Sequence, residues 1–495
     1  MLTADSSTAS VETHISSVFF AGDRVFKLLK PLRTGFLDHS DVAARVEAVR
    51  REYELNRRLA PDVYLGYDDL HEDGVLTDRL LLMRRLPAGR RLSSLLDDPG
   101  FGDHLRRIAH VIAAFHASLH PIERRFPMAT AAGLAALWSS SFEEIEPSVG
   151  AVIDPTDFEQ VGGLALGYLH HSEPLFHRRQ QAGLVKDGHG DLIADDIFVL
   201  DDGPRILDCL AFDDDYRVSD VLADIAFLVM DVERLAGPAA ARQLMGWYCE
   251  FSAEHHPASL AHHYVGYRAH VRAKVALLRH RQGDPAAESI ARRHHDQALD
   301  HLLRAQRRIV LVGGGPGSGK TTTANRLADR LNWSVIDTDT LRKDLRGVDH
   351  DDHDVAAHPD LYAAATTEET YEKLLEQAEL LLAGGESVVL DATWGDAAHR
   401  DAARAMGARH GAAVDELECR LDHGLARRRI ADRNREGRDA SDATPELVDQ
   451  MTRDPWPQAR RLDTGRSPDD VIDDAVIDLF GSGGLPTTFA TTPRA

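Results

Sequence analysis

The feature that most constrains this chain is a glycine-rich turn that directly follows a short apolar run. The apolar run covers residues 309–312 (Ile-Val-Leu-Val), and the turn at 314–321 reads Gly-Gly-Pro-Gly-Ser-Gly-Lys-Thr. The turn matches the pattern G-x-x-x-x-G-K-[ST] at every fixed position, in the place where a buried strand would lead into a helix. The sequence therefore predicts a phosphate-binding loop at the edge of an α/β sheet.

Each part of this loop has a mechanical role in holding phosphate groups. Glycines let the backbone curl so that its N–H groups point inward at phosphate oxygens. Lys320 adds a mobile cation, the Thr321 hydroxyl is an oxygen ligand for Mg²⁺, and the following helix presents its positive end. A glycine-rich turn that binds no nucleotide is the alternative. The residues assigned to nucleotide binding are Gly314, Gly315, Pro316, Gly317, Ser318, Gly319, Lys320, Thr321 and Thr322.

After the loop, strand-like and helix-like segments alternate, which indicates a parallel sheet with crossover helices. We therefore predict a P-loop domain over 301–480 and a disordered tail over 481–495. The predicted strands are 308–313, 333–337, 387–391 and 413–420, and the predicted helices are 319–331, 366–383, 396–409 and 423–436.

Three groups of residues beyond the loop suggest phosphoryl-transfer chemistry. Asp339 and Arg342 follow the second strand, where ligands bind in open α/β sheets, so Asp339 is a candidate base for an acceptor hydroxyl. Asp391 ends a short apolar strand and is a candidate ligand of Mg²⁺ or its water. Arg429 and Arg433, one turn apart in an arginine-dense helix, are candidates for a lid that neutralises phosphate charge.

Each assignment has a structural alternative that the sequence leaves open. Asp339 could cap the following helix, and a strand-ending aspartate such as Asp391 is common in proteins without a metal. The arginine-dense helix could be a solvated face paired with Asp432 and Glu436.

On these residues, the C-terminal half resembles the P-loop small-molecule kinases of the zeta-toxin and predicted-kinase (AAA-type) group. The match comprises the loop at 314–321, Asp339-x-x-Arg342, Leu390-Asp-Ala-Thr393 and Ser441-Asp-Ala-Thr-Pro445. The resemblance implies transfer of a phosphoryl group from ATP to a hydroxyl, and it does not identify the acceptor. Polynucleotide 5′-kinases share the Asp-x-x-Arg arrangement, but the acidic chain disfavours that substrate.

A second group of carboxylates lies in the N-terminal half. His189-Gly-Asp191-Leu is followed by two apolar pieces, 198–200 and 206–207, which predict a hairpin that returns Asp208 beside Asp191. One carboxylate would act on an acceptor hydroxyl, and the other would hold Mg²⁺ on the ATP phosphates. Elsewhere in this half, the patterns predict a hairpin at 18–29, a helix at 40–59 and mainly helical segments at 100–180 and 218–305.

This half resembles the aminoglycoside phosphotransferase and protein-kinase-like fold, in a branch that is often fused to a P-loop kinase. The match covers residues 10–300. The resemblance implies that Lys27 pairs with ATP phosphates, Glu52 orients Lys27, Asp191 is the catalytic base and Asp208 binds metal.

Three departures from the family pattern leave the activity of this half open. Asp196 stands where the pattern has Asn; it keeps an oxygen ligand for a metal but loses an amide donor. Ala211 stands where the branch usually has Glu, and there is no G-x-G-x-x-G loop near the start. The domain predicted at 1–300 is therefore either a second kinase or a degenerate one.

Composition narrows the class of partner. The net charge is −23, and such a surface repels polyanions, so nucleic acid and anionic membranes are not expected partners. The three cysteines are far apart in sequence, which is typical of a reducing cytoplasm rather than a disulfide framework. There is no evident signal peptide, and no apolar run approaches the ~18–20 residues that span a bilayer.

Two histidine patterns receive no functional assignment. The segment 349–354 (Asp-His-Asp-Asp-His-Asp) is predicted to be a solvated loop rather than a metal site. The histidine pairs at 255–256, 262–263 and 294–295 are expected at the surface.

Together, these patterns predict a cytoplasmic two-domain kinase with a kinase-like α+β N-terminal fold and a P-loop α/β C-terminal fold. We expect it to use ATP and Mg²⁺ and to phosphorylate a small hydroxyl-bearing acceptor. The main alternative is a nucleotide-sensing regulatory protein, in which the P-loop half is a slow ATPase and the N-terminal half binds a ligand without catalysis.

Overall fold

A computed structural model describes residues 10–13, 15–33, 38–350, 358, 360–436 and 454–480, with the side chains of 433–436 excepted. The predicted tail and the segment Ser441–Pro445 lie outside the described residues. No helix within the described ranges is both long enough and apolar enough to cross a lipid bilayer.

The chain begins with an antiparallel five-stranded sheet in the order β1-β2-β3-β5-β4. The predicted first hairpin is confirmed, with its turn at Gly22, whose φ is 61°. Helix α1 starts after Asp41, whose side chain accepts from the backbone N–H of Ala44, and its buried residues pack on the sheet. The elements are β1 (Ser10–Glu12), β2 (Ser16–Ala21), β3 (Arg24–Leu29), α1 (Val42–Asn56), β4 (Tyr64–Glu72) and β5 (Val75–Arg84).

A larger, mainly helical part follows, and it contains the largest apolar core of the molecule's described residues. Two short two-stranded sheets, β6-β9 and β7-β8, interrupt the helices. The elements are α2 (Phe101–Ser118), α3 (Ala131–Ile145), α4 (Pro155–His170), α5 (Glu173–Gln181), β6 (Val185–Asp187), β7 (Ile197–Leu200), β8 (Gly203–Ile206), α6 (Asp214–Arg217), β9 (Val218–Asp220), α7 (Val221–Ala236), α8 (Pro238–Ser252), α9 (Ala258–Arg281) and α10 (Ala286–Ala305).

Helix α9 corrects the expectation that the paired histidines lie at the surface. It packs against α3, α4, α7 and α10, so its first half is buried on every side. His262 and His263 are fully enclosed there, and His294 and His295 are buried on α10. Of the three pairs, the expectation holds only for His255. The polar composition of α9 gave no sign that this helix is buried, because its burial comes from helices that are distant in the chain.

The C-terminal half is an all-parallel sheet in the order β11-β12-β10-β13-β14, with helices on both faces. Separate apolar clusters cover its two faces, so the predicted α/β fold is confirmed. Sequence analysis missed β14 and α16. The elements are β10 (Arg308–Gly314), α11 (Lys320–Leu331), β11 (Ser334–Asp337), α12 (Thr338–Arg346), α13 (Ala364–Ala383), β12 (Val388–Asp391), α14 (Ala397–Arg409), β13 (Ala413–Arg420), α15 (His423–Glu436), β14 (Arg460–Asp463) and α16 (Pro468–Phe480).

The two halves meet at the short connection between α10 and β10. Arg307 is buried there, and its guanidinium donates to the backbone oxygens of Tyr168, His171 and Leu382. The Ser259 hydroxyl, at the start of α9, donates to the Gly385 oxygen at 2.6 Å. We propose that the boundary between the halves falls at this connection, a few residues after the predicted 300–301.

Candidate active sites

The glycine-rich loop joins β10 to α11, as predicted. Gly317 has a φ of 69°, and a Cβ atom there would lie 2.7 Å from the Ala426 backbone oxygen on α15. Gly319 has a φ of 87° and precedes the first residue of α11, Lys320. These left-handed conformations favour glycine, and they place the loop against the N-terminus of a helix, a geometry suited to phosphate.

A cavity of about 310 Å³ opens beside this loop and the first turns of α11. Arg429 lines it from α15 and donates to the Thr464 oxygen at 3.0 Å, while the Thr464 hydroxyl donates to the Ser318 oxygen at 2.5 Å. The predicted position of Arg429 beside the loop is therefore found; the Arg433 side chain lies outside the described residues. Sequence analysis missed the wall built by β14 and α16, which contributes Thr464, Arg466, Pro468, Val471 and Ile472.

Asp391 lies at the carboxyl end of β12, beside the loop. It is 2% exposed, and its Oδ1 atom has no hydrogen-bond partner among the described residues. Burial raises the pKa of Asp391 to about 6, although Lys320 and the Thr321 hydroxyl favour its charged form. A buried carboxylate oxygen next to a threonine hydroxyl and a loop for phosphates fits an oxygen-liganded cation such as Mg²⁺.

Asp339 and Arg342 lie on α12 and form an ion pair, with Arg342 Nη1 at 2.7 Å from Asp339 Oδ1. Asp337, rather than Asp339, caps this helix, because its carboxylate accepts from the Thr340 N–H at 2.7 Å. The capping alternative for Asp339 is therefore wrong. Asp337 is paired with Asp391 in the register of β11 and β12, so α12, which begins directly after Asp337 and carries Asp339, starts at the same edge of the sheet.

The N-terminal half brings together a cation and a carboxylate from separate elements. Lys27 on β3 donates to Glu52 on α1 at 2.7 Å, and its Nζ lies 3.8 Å from Asp208 Oδ1. Burial would lower the pKa of Lys27, but Glu52 and Asp208 outweigh it and raise that pKa. The predicted Lys27–Glu52 pair is present, and Asp208 lies within its reach.

The segment around Asp191 is anchored by a buried aspartate. The backbone N–H groups of His189 and Gly190 donate to Asp224 at 2.7 and 2.8 Å, and His116 Nε2 lies 3.1 Å from the same carboxylate. Burial would raise the pKa of Asp224, but its hydrogen bonds with His116 and with the His189 backbone N–H hold it well below its usual value. Sequence analysis did not single out His116 or assign Asp224 a role.

Three carboxylates converge near Lys27. The β7–β8 hairpin joins Asp196 to the segment before Asp208, since the Leu207 N–H donates to the Asp196 backbone oxygen at 2.9 Å. Burial raises the pKa of Asp191 to about 6; burial and the charge of Asp208 raise that of Asp196 well above its usual value. Mutually repelling carboxylates of this kind suit a divalent cation, with Asp196 and Asp208 as ligands. A cavity of about 230 Å³ includes Lys27, Glu52, Asp191, Asp208 and Ala211 in its lining.

A third cluster of possible metal ligands among the described residues contains Cys249, Glu254 and His256. His256 Nδ1 lies 2.5 Å from Glu254, which also accepts from the buried Arg179 at 2.6 Å. Burial would raise the pKa of Glu254, yet His256 and Arg179 lower it to about 2. Because both His256 and Arg179 already pair with Glu254, this cluster is best described as an ion-pair network that joins α5 to the loop before α9.

Several known proteins are similar to parts of this chain. The profile of an AAA domain (AAA_33) matches residues 309–454. Solved structures with similar folds include the GDP complex of wild-type aminoglycoside 2′-phosphotransferase-IIIa (17% identity, 60% of this chain and 93% of that chain, TM-score 0.39). Another is the Mycobacterium tuberculosis APS kinase CysC with AMPPNP and APS (26% identity, 36% of this chain and 98% of that chain, TM-score 0.28).

One full-length relative covers both halves. The uncharacterized protein Rv2004c of Mycobacterium tuberculosis (strain ATCC 25618 / H37Rv) is 36% identical over 460 residues, which span 92% of this chain and 91% of that protein. Since more than a third of the residues are identical over most of both chains, this chain belongs to the same protein family as Rv2004c.

Proposed function

We propose that this protein is an ATP-dependent phosphotransferase whose P-loop half transfers the γ-phosphoryl group to a small hydroxyl-bearing acceptor. The observation that carries the proposal is the meeting of Lys320 and Thr321 with the buried Asp391 beside the loop, with Asp339 in the first turn of α12 at the same edge of the sheet. Phosphoryl transfer depends mainly on positioning and charge neutralisation, and these residues supply both.

In this proposal, each residue has a defined task. The loop N–H groups and Lys320 hold the phosphates, and Thr321 and Asp391 would hold Mg²⁺, which neutralises charge on them. Asp339 accepts the proton of the acceptor hydroxyl, and Arg342 keeps that carboxylate in place through their ion pair. Arg429 from α15, with Arg433 as a further candidate, closes over the transferring group.

We propose that the N-terminal half is a second ATP site. Lys27, oriented by Glu52, would bind phosphates; Asp196 and Asp208 would hold Mg²⁺; and Asp191 would act as the base. The formed Lys27–Glu52 pair supports this assignment. We place the protein in the cytoplasm, since its three cysteines are unpaired.

The test is ATP turnover by the full chain and by Lys320→Ala, with and without a pool of small metabolites. We expect the pool to accelerate ADP release and yield a phosphorylated product, and Lys320→Ala to lose most of that turnover. Undiminished turnover in Lys320→Ala would refute the proposal. Slow turnover that no metabolite accelerates would favour the nucleotide-sensing alternative.

A further inference from the structure

Two arginines on α9 have no carboxylate partner among the described residues. Arg268 and Arg272 are one helical turn apart and therefore share a face of α9. Arg268 is 4% exposed, and Arg272 is partly buried. Neither forms an ion pair with any other described residue.

The contacts of Arg268 account for only part of its hydrogen-bonding capacity. Its Nε donates to the Ala223 oxygen at 3.2 Å, and its guanidinium lies 4.8 Å from the centre of the Phe227 ring. Its Nη2 is buried and has no partner among the described residues. An unpaired buried guanidinium is costly for folding, so a ligand that pairs with it would offset that cost.

Arg268 is tied to the segment of Asp191, because it donates to Ala223, the residue before Asp224, and the Asp224 carboxylate accepts from the Gly190 N–H. Two other carboxylates act on Asp191, and both have partners: Asp208 lies 3.8 Å from Lys27, and Asp231 is engaged on α7. Burial raises the pKa of Asp191, while Arg272 and then Arg268 lower it. Asp231, on α7, accepts from Arg234 at 2.6 Å and from the Ala194 N–H at 2.9 Å. The positive charge of the α9 pair is therefore available to a molecule bound next to Asp191.

We propose that Arg268 and Arg272 form an oxyanion-binding site and that the acceptor of the N-terminal half carries a phosphate or carboxylate group. The proposal rests on the second kinase site proposed above. The acceptor oxygen would attack the γ-phosphorus of ATP, forming an O–P bond as the bond to ADP breaks. Its proton would pass to the Asp191 carboxylate and then to solvent. Arginine suits this role because its fork of N–H donors matches oxyanion geometry.

The test measures binding and turnover separately. Inorganic phosphate and acetate are each titrated into the full chain while a non-hydrolysable ATP analogue with Mg²⁺ saturates both nucleotide sites. We expect at least one anion to bind, and Arg272→Gln to weaken it by about tenfold, since a charge-assisted hydrogen bond is lost. Arg268→Gln should act in the same direction. Arg279→Gln, on the same helix but paired with Asp284 at 2.6 Å, should have no effect.

Turnover is then followed in Lys320→Ala, with glycerol, glycerol 3-phosphate, glycerate and 3-amino-1,2-propanediol as matched acceptors. The proposal would be supported if glycerol 3-phosphate and glycerate gave faster ADP release than the other two acceptors, and if Arg272→Gln raised the KM for these anions. If anions bind in a way that depends on Arg272 but no acceptor is turned over, the anion site is supported and the kinase function of the N-terminal half is contradicted. Turnover of neutral or cationic acceptors that is insensitive to Arg272, or no anion binding, would overturn the proposal.

Discussion

The two candidate nucleotide sites of this chain are built from different material. In the C-terminal half, one continuous loop between β10 and α11 supplies backbone N–H groups and Lys320. In the N-terminal half, Lys27 comes from β3, Glu52 from α1, and Asp208 from the segment after β8. A site made of backbone depends on local conformation, whereas a site made of side chains depends on how separate elements pack. Substitutions should therefore disturb the two sites in different ways.

The largest effect is expected from Asp391→Asn, measured as ADP release in an Asp191→Asn background that silences the N-terminal half. Turnover at the C-terminal site should fall about a hundredfold, because an amide is a poor substitute for a carboxylate beside Mg²⁺. Asp415→Asn is the control, since Asp415 lies on the same sheet, paired with Arg308 at 3.0 Å. Equal turnover in the two variants would show that Asp391 has no role in the C-terminal site.

Gly317→Ala tests whether the loop conformation itself carries binding. The new Cβ would lie 2.7 Å from a backbone oxygen of α15, so we expect nucleotide affinity at the C-terminal site to fall about tenfold. Gly347→Ala is the matched control, because its φ of 62° is similar and nothing lies within 4 Å of its Cβ position. In that control, the free energy of unfolding measured in urea should fall by about 1 kcal/mol, and nucleotide affinity should not change. Identical nucleotide affinities in Gly317→Ala and Gly347→Ala would show that the loop conformation does not determine binding.

Glu52→Gln tests the N-terminal nucleotide site, which is made of side chains from separate elements. Without the carboxylate, Lys27 keeps only the more distant Asp208, so we expect nucleotide affinity in the N-terminal half to fall several-fold, to about tenfold. Glu54→Gln is the control on the same helix, exposed and paired with Arg50 at 2.6 Å. Calorimetry with the ATP analogue separates the sites; a loss confined to the C-terminal half would contradict the assignment.

The smallest effect concerns acid stability, and it again separates the halves. His263 and His270 are buried, neither has a hydrogen-bond partner in the described part of the chain, and burial lowers the pKa of each to about 3. The unfolded chain binds protons below its histidine pKa of about 6.5, but the folded state does not. Stability is therefore full above pH 6.5 and falls as pH drops toward 3, by about 1 kcal/mol for each histidine at pH 5.5.

Thermal unfolding at pH 7.5 and pH 5.5 measures this difference. His263→Phe and His270→Phe should each reduce the acid-induced drop in Tm, while His177→Phe, at an exposed position, should leave it unchanged. Every fully buried histidine among the described residues lies before β10, so the N-terminal half should respond first. A drop that none of the variants alters would locate the acid sensitivity elsewhere.

The sequence was most informative where the structure is locally determined. Helices α11, α14 and α15 and strand β13 begin and end within a residue or two of prediction, because apolar runs and end signals mark each unit. The strand β14 was missed, since Arg460-Arg461-Leu462-Asp463 is mostly polar and becomes a strand by pairing with β13. The wall of the nucleotide cavity was missed with it.

The N-terminal site shows the complementary limit. Lys27 and Glu52 were proposed through family resemblance, whereas Asp191 and Asp208 were predicted from the hairpin between them. All four line one cavity. Their supports, such as the Asp224–His116 contact across more than a hundred residues, have no local signature. Arg268 gave no signal for the same reason: a charged residue on a helix is normally exposed, and its burial results from the surrounding helices.

The buried Arg307 at the connection between the halves also bears on how such a chain evolves. Its two terminal nitrogens donate to carbonyl groups from α4, from the segment after it, and from α13, so both halves supply its partners. Exchange of either half for an unrelated kinase by recombination would strand this cation. We therefore expect the two halves to be inherited as a unit, with the backbone around position 307 kept on both sides of the joint.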